Sequence, residues 1–126
     1  MGALACLIAG GQMVRLAAAF TLAWTHSVQK SEWQEDWRAT PEGLAMVEMR
    51  VEGSGAGMEP PEGAVLEGGR YVAHPRLPPL REVVLRRSGA TADWRICIDG
   101  RCRLMGDLIP ADADPVTLAL CPDAPG

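Results

Sequence analysis

Cys97-Ile98-Asp99-Gly100-Arg101-Cys102 is the stretch that decides the fold. Asp-Gly is a favoured centre for a two-residue type I′ turn, which joins two neighbouring antiparallel strands. Ile98 and Arg101 then flank the turn as one pair, and Cys97 and Cys102 form the next pair, directly opposite each other. Such a pair is of the non-hydrogen-bonded type, with Cα atoms about 4.5 Å apart. A disulfide fits that separation, so the stretch predicts a β-hairpin closed by a disulfide.

Two unpaired thiols in a cytosolic protein are the alternative to this disulfide. The C-x4-C spacing differs from the C-x-x-C of thioredoxin-like redox sites. Zinc would need a second pair of ligands, and the two histidines, His26 and His74, are isolated in the sequence. The disulfide is therefore preferred, and it indicates a compartment outside the cytoplasm. Cys6 and Cys121 remain; they could pair and tie the two ends of the chain together, provided that Cys6 survives processing.

Short segments of alternating or apolar residues, separated by turn residues, make up the rest of the chain. Residues 20–24 alternate large and small side chains and predict a strand, with His26 at its end. Residues 32–38 place Trp33 and Trp37 on one face of a strand, although the same spacing allows a short helix. Further strands are predicted at residues 44–51, 64–66, 70–73, 80–87 and 116–120, and the cysteine hairpin spans residues 93–104.

Turn residues are spread over the whole chain, which has ten prolines and fourteen glycines. Such a distribution is typical of sandwiches and barrels, and no segment keeps a helical periodicity over three turns. About seven short strands predict an all-β fold, either an antiparallel β-sandwich or a small barrel. A length of 126 residues suits one domain with a real core, and the four tryptophans are expected to anchor that core.

The first residues form a short apolar run at positions 3–9, well below the about 20 residues that span a bilayer. We interpret residues 1–15 as the remnant of an export signal or an N-terminal extension, although no basic residue precedes the run. The alternative is a first strand or helix of the fold. The predicted domain then covers residues 16–121 with a tail at 122–126, and membrane association is expected only through an N-terminal signal or anchor.

The charge pattern argues against a nucleic-acid partner. The net charge is −4, and no basic stripe of the kind that binds a phosphate backbone is present. The small basic group of Arg81, Arg86 and Arg87 is interpreted as a solvated strand face.

Polar and glycine-rich segments beside strand ends are the candidate site, because scaffolds present ligands on such connections. Glu35 could orient His26 if their two segments pair. The glycine run at 53–57 does not resemble a nucleotide loop, because prolines follow it instead of a helix; a plain connection is the alternative. The candidate ligand-binding residues are His26, Ser27, Lys30, Glu35, Gly53, Gly55, Gly57, Met58 and Glu59.

Four segments together resemble the bacterial domain-of-unknown-function family 1850. Residues 20–30 resemble its His-Ser-Val-x-Lys opening, residues 32–37 its Trp/Glu-rich second segment, residues 53–61 its glycine-rich loop, and residues 94–102 its final Trp, Asp-Gly and Cys elements. The resemblance implies an exported protein, often encoded beside TRAP-type solute transporters. It implies no activity and no catalytic residue.

Three functions are compatible with these patterns. The leading hypothesis is a non-enzymatic periplasmic domain, without metal or cofactor, that binds a small organic solute or the subunits of a TRAP-type transporter. The second is a small hydrolase with His26 as general base and Glu35 as its orienter. The third is a structural module whose glycine loop mediates assembly through an exposed apolar patch.

Overall fold

The computed structural model describes residues 2–25, 31–52, 63–87 and 92–122. These residues contain eleven strands and a single turn of 3-10 helix at Met105–Asp107. The strands are β1 (Ala5–Ala9), β2 (Gln12–Arg15), β3 (Ala19–Thr25), β4 (Glu32–Thr40), β5 (Gly43–Glu52), β6 (Val65–Glu67), β7 (Arg70–Ala73), β8 (Glu82–Leu85), β9 (Arg95–Ile98), β10 (Arg101–Leu104) and β11 (Val116–Leu120).

Two antiparallel sheets pack face to face. The small sheet has the order β2-β1-β11-β8 and the large sheet the order β10-β9-β3-β4-β5-β7-β6. Leu7 and Leu118 pair across β1 and β11, whereas Leu22 and Ile96 pair across β3 and β9, and all four belong to one core cluster. The all-β prediction is confirmed, and of its two alternatives the structure shows the sandwich.

The segments predicted as strands do form strands, but the observed strands differ from the predicted ones in number and length. Residues 32–38 lie within β4, so the helical alternative for that segment is wrong. The strand predicted at 80–87 shortens to Glu82–Leu85. Eleven strands appear in the described residues where about seven were expected, and two of the additional strands lie in residues 5–15.

The N-terminal boundary has to be corrected, because residues 5–15 belong to the sandwich. β1 lies between β2 and β11 in the small sheet, and Ala5, Cys6 and Leu7 are fully buried there. The apolar run is therefore a first strand, as the alternative interpretation has it. None of the described residues forms a helix long and apolar enough to cross a membrane.

Both possible cysteine pairs are disulfides. Cys97 lies opposite Cys102 in the hairpin ladder, with Cα atoms 4.0 Å apart. The turn residues Asp99 and Gly100 both have positive φ, 52° and 79°, as a type I′ turn requires. The predicted hairpin and its disulfide are thus confirmed. The second disulfide joins Cys6 to Cys121.

One close contact holds the start of β5 to the segment that precedes β8. Leu44 and Leu80 exchange two backbone hydrogen bonds of 2.8 Å each. Gly43 has a φ of 143°, and a Cβ at that position would lie 2.5 Å from the carbonyl oxygen of Leu80. Glycine is needed there because any side chain would collide with this backbone.

Candidate functional site

Glu35 is the one candidate ligand-binding residue within the described part of the chain. The other candidates, His26, Ser27, Lys30, Gly53, Gly55, Gly57, Met58 and Glu59, lie outside the described residues. The strand ends that flank their segments do meet. Thr25 pairs with Glu32, and the backbone N–H of Glu32 donates to Oε1 of Glu52 at 2.6 Å.

Glu35 lies on the inner face of the large sheet, since its ladder partners are the buried Leu22 on β3 and Met49 on β5. The indole N–H of Trp37 donates a hydrogen bond to Oε1 of Glu35 at 3.2 Å. Burial raises the pKa of Glu35, and the hydrogen bond from Trp37 offsets part of that rise. A carboxyl group with a raised pKa can hold a proton closer to neutrality than a surface carboxyl can.

Three tryptophans form a cluster next to Glu35. The rings of Trp24 and Trp33 stack at 5.8 Å with an interplanar angle of 17°. Trp94 contacts Trp24 at 4.9 Å, tilted by 53°. These three indoles are half-buried, whereas Trp37 is 3% exposed and belongs to the core. Of the four indoles expected to anchor the core, Trp37 is part of it and Trp94 packs against it. Trp24 and Trp33 are half-buried because they lie near the end of β3 and the start of β4.

The indole nitrogens of the cluster differ in their partners. The N–H of Trp94 donates to the carbonyl oxygen of Arg86 at 2.9 Å. The Nε1 of Trp33 is buried and has no hydrogen-bond partner among the described residues. A buried donor of this kind costs free energy unless it is satisfied.

A buried ion pair adjoins the cluster. The Arg87 side chain is 6% exposed, and its guanidinium donates twice to Asp93, at 2.7 and 3.1 Å, and to the carbonyl oxygens of Pro110 and Ala113. Burial tends to raise the pKa of Asp93, but hydrogen bonds and the charge of Arg87 outweigh it and lower that pKa. The expectation of a solvated basic face is thus wrong for Arg87.

The cavity between these groups is small. It measures about 90 Å³ and is bounded by the Trp24–Trp94 contact and the Arg87–Asp93 pair. Because the guanidinium and the carboxylate already satisfy each other, the pair is architectural: it holds the loop before β11 against the start of β9. Ligand pockets usually have volumes of about 300 Å³ or more, so this smaller cavity suits ordered water better than a solute.

The outer face of the large sheet carries a charged network. Arg50 donates to both carboxylate oxygens of Asp36, at 2.7 and 2.9 Å, and to Glu48 at 2.5 Å. Asp36 also accepts from the hydroxyl of Thr21 at 2.7 Å, and His74 lies 3.1 Å from Glu48. The hydrogen bond from Arg50 lowers the pKa of Asp36. Both carboxylates of the network, Asp36 and Glu48, thus have hydrogen-bond partners within it.

A larger concave surface, which the local sequence patterns do not indicate, opens between β2 and β10. It measures about 320 Å³, and we call it the arginine cleft. Its arginines are Arg15, Arg101 and Arg103, and its apolar walls are Leu16, Ile96, Ile98 and Leu108. The i, i+2 spacing of Arg101 and Arg103 signals one strand face, but nothing in the local sequence links them to Arg15.

Residues 2–25, 31–52, 63–87 and 92–122 contain no group of three His, Cys, Asp or Glu side chains that could hold a metal ion.

A family model described as "Domain of unknown function (DUF1850)" matches residues 20–105. The match covers well over half of the chain and nearly all of the large sheet, and it confirms the resemblance drawn from the sequence. No curated protein and no solved structure matches the chain.

Proposed function

Because the chain belongs to the DUF1850 family, whose description gives no activity, we propose its function from its setting and its surfaces. The domain is a non-enzymatic periplasmic accessory protein that binds a small organic solute for a TRAP-type transporter. The observation that carries this proposal is the pairing of all four cysteines in two disulfides.

The disulfides support a location outside the cytoplasm. Glutathione and thioredoxin keep cytosolic thiols reduced, so stable structural disulfides are typical of exported proteins. Cys6 is fully buried, and its disulfide joins β1 to Cys121, the residue directly after β11. This bond links the two central strands of the small sheet covalently.

A binding role is supported by the shape of the scaffold. Cys97–Cys102 bonds β10 to β9, and β2 pairs with β1, whose Cys6 is bonded to Cys121. The cleft between β2 and β10 reaches the size range of small-molecule sites. A rigid sheet that presents such a cleft loses little conformational entropy when a ligand binds. The association with a TRAP-type transporter rests on the gene setting that the family resemblance implies.

Fractionation and co-purification test this proposal. The tagged full-length chain, expressed in its native host, is expected in the osmotic-shock fraction with no thiol that reacts with maleimide before reduction. TRAP-type transporter subunits are expected to co-purify with it, and an unrelated disulfide-bonded sandwich with the same tag serves as the control. Recovery in the cytoplasm with reduced thiols would contradict the location, and capture of the same subunits by the control would contradict the partner.

A hydrolase is the second candidate, and the buried carboxyl of Glu35 favours it. A carboxyl with a raised pKa suits general acid–base catalysis, and its predicted partner His26 lies outside the described residues. The test is turnover of a panel of ester, amide and glycoside substrates. Activity that E35Q and H26A both abolish supports the hydrolase, whereas no turnover by the unmodified chain removes it.

A further inference from the structure

The arginine cleft lies where both sheets of the sandwich end. β2 is the edge strand of the small sheet and β10 the edge strand of the large sheet. The floor of the cleft includes Ile96, which is 2% exposed. Leu16, Ile98 and Leu108 are partly buried and pack against the core. The cleft is thus an opening into the apolar layer between the sheets.

Positive charge converges on this opening from two directions. Arg101 and Arg103 pair with Ile98 and Ile96 across the hairpin, so both belong to the strand face that carries these two isoleucines. Arg15 comes from the other sheet, at the end of β2. Three arginines therefore line one cavity, in a chain whose net charge is −4.

These guanidinium groups have no anionic partner in the described part of the chain. No hydrogen bond or ion pair joins the side chain of Arg15, Arg101 or Arg103 to any described residue, and no carboxylate of the described residues lines the cleft. By contrast, Arg50 and Arg87 are each held by carboxylates. Mutual repulsion of three cations around a shared opening is relieved when an anion enters between them.

We propose that the arginine cleft binds a small organic anion with two or three carboxylate groups. A planar guanidinium group can donate two parallel hydrogen bonds to one carboxylate. Three arginines can therefore bind a ligand with more than one carboxylate. The walls formed by Leu16, Ile98 and Leu108 would contact a carbon skeleton, which an inorganic oxyanion lacks. A volume of about 320 Å³ lies at the lower end of small-molecule pockets, so the ligand is small. This inference rests on the proposed function, since it names the class of solute and its site.

Calorimetry with defined probes tests the inference on the oxidised full-length chain. Propane-1,2,3-tricarboxylate and glutarate are the probes, and neutral glutaramide and inorganic phosphate are the comparisons. We expect the two carboxylates to bind, phosphate to bind more weakly and glutaramide not to bind. Amide shifts in NMR spectra are expected at Leu16, Ile96, Ile98 and Leu108.

Two double variants separate the cleft from general charge. R101Q/R103Q removes two cleft arginines, and R76Q/R81Q removes the same charge from exposed arginines outside the cleft. We expect at least about tenfold weaker binding in R101Q/R103Q, the equivalent of about 1.4 kcal/mol, and unchanged binding in R76Q/R81Q. If R101Q/R103Q does not fold, R101K/R103K replaces it; loss of the guanidinium forks at constant charge is then expected to weaken binding.

Three results would overturn the inference: no carboxylate binding to the unmodified chain, equal weakening in both double variants, or phosphate binding as tightly as the tricarboxylate. Co-purification of transporter subunits with R101Q/R103Q keeps the two proposals distinguishable. If the cleft does not bind carboxylates but the subunits are still captured, the site assignment fails and the proposed accessory role stands.

Discussion

Cys6 is bonded to Cys121 across 115 positions of sequence, with their Cα atoms 5.0 Å apart. Cys97 is bonded to Cys102 across only five positions. The chain-entropy contribution of a disulfide grows with the length of the loop that it closes, from about 2 kcal/mol for a loop of a few residues to about 4–5 kcal/mol for one of about a hundred. The two bonds in this sandwich are therefore expected to differ in their effect on stability.

We predict that C6A/C121A lowers the free energy of unfolding by about 4–5 kcal/mol and C97A/C102A by about 2 kcal/mol. Urea denaturation without reductant measures both values. Each variant serves as the control for the other, since both lose two sulfurs. A larger loss in C97A/C102A would contradict the loop-length argument and indicate that the hairpin depends on its bond for register.

How far the sequence predicts this fold depends on how local each contact is. The hairpin between Cys97 and Cys102 follows from turn chemistry within six residues, so its register is predictable. β1 has one local partner, β2, across the turn at Gly10 and Gly11, a signal that the interpretation of residues 1–15 as an export signal leaves unused. Its other partner is β11, more than a hundred residues later, and a five-residue apolar run does not specify that partner. The burial of Arg87 escapes prediction for the same reason: its acceptors Pro110 and Ala113 come from a distant loop.

The candidate site is predictable to a smaller extent. The alternation around Glu35 correctly indicates a strand, but period two cannot tell which face meets the other sheet. The arginine cleft cannot be found from local patterns because Arg15 and Arg101 belong to different sheets, and only the packing of those sheets brings them together.

Substitution of Arg87 tests the buried ion pair. R87L leaves Asp93 partly buried without its charge partner, so we expect a loss of about 3–5 kcal/mol of stability. R86Q is the matched control: Arg86 is 74% exposed in its pair with Asp114, and such surface pairs contribute about 0–1 kcal/mol. Thermal or urea unfolding measures both. Similar effects of the two substitutions would contradict the structural role assigned to Arg87.

Substitution of Glu35 tests the raised pKa. Since the folded-state pKa lies above the value in the unfolded chain, the folded state favours the protonated acid. Stability from this preference is fully present below the unfolded-state pKa, about 4.5, and is lost as pH rises through the folded-state pKa. E35Q, which keeps an acceptor for the Trp37 indole, is expected to be more stable than the unmodified chain at pH 7 and equal to it near pH 3. Equal stability of the two chains at both pH values would contradict burial as the cause.

Substitution of Asp36 is expected to show the opposite pH dependence. The folded-state pKa of Asp36 is lowered, first by its hydrogen bond from Arg50, so its stabilising effect is present above the unfolded pKa and is lost as pH falls through the folded pKa. D36N is expected to cost about 1 kcal/mol at pH 7, a discounted value because the Asp36 side chain is 36% exposed. The cost is expected to shrink in acid, as urea unfolding at several pH values would show. A cost that is constant with pH would indicate lost packing.

Substitution of Gly43 tests the contact between β5 and the segment before β8. G43A places a Cβ 2.5 Å from the carbonyl oxygen of Leu80, at a φ of 143°, and therefore has to break the paired hydrogen bonds between Leu44 and Leu80. G69A is the matched control, because Gly69 also has positive φ, 81°, but a Cβ there meets nothing within 4 Å.

We expect G69A to cost about 1–2 kcal/mol, the penalty of the left-handed conformation alone, and G43A to cost clearly more. Urea unfolding compares the two, and amide exchange at Leu44 and Leu80 reports whether their mutual hydrogen bonds are lost. If the two variants were equally stable, the close approach would have no energetic consequence. If Leu44 and Leu80 stayed protected in G43A, the backbone would be accommodating the new methyl group by moving elsewhere, and the contact would not be what requires glycine at this position.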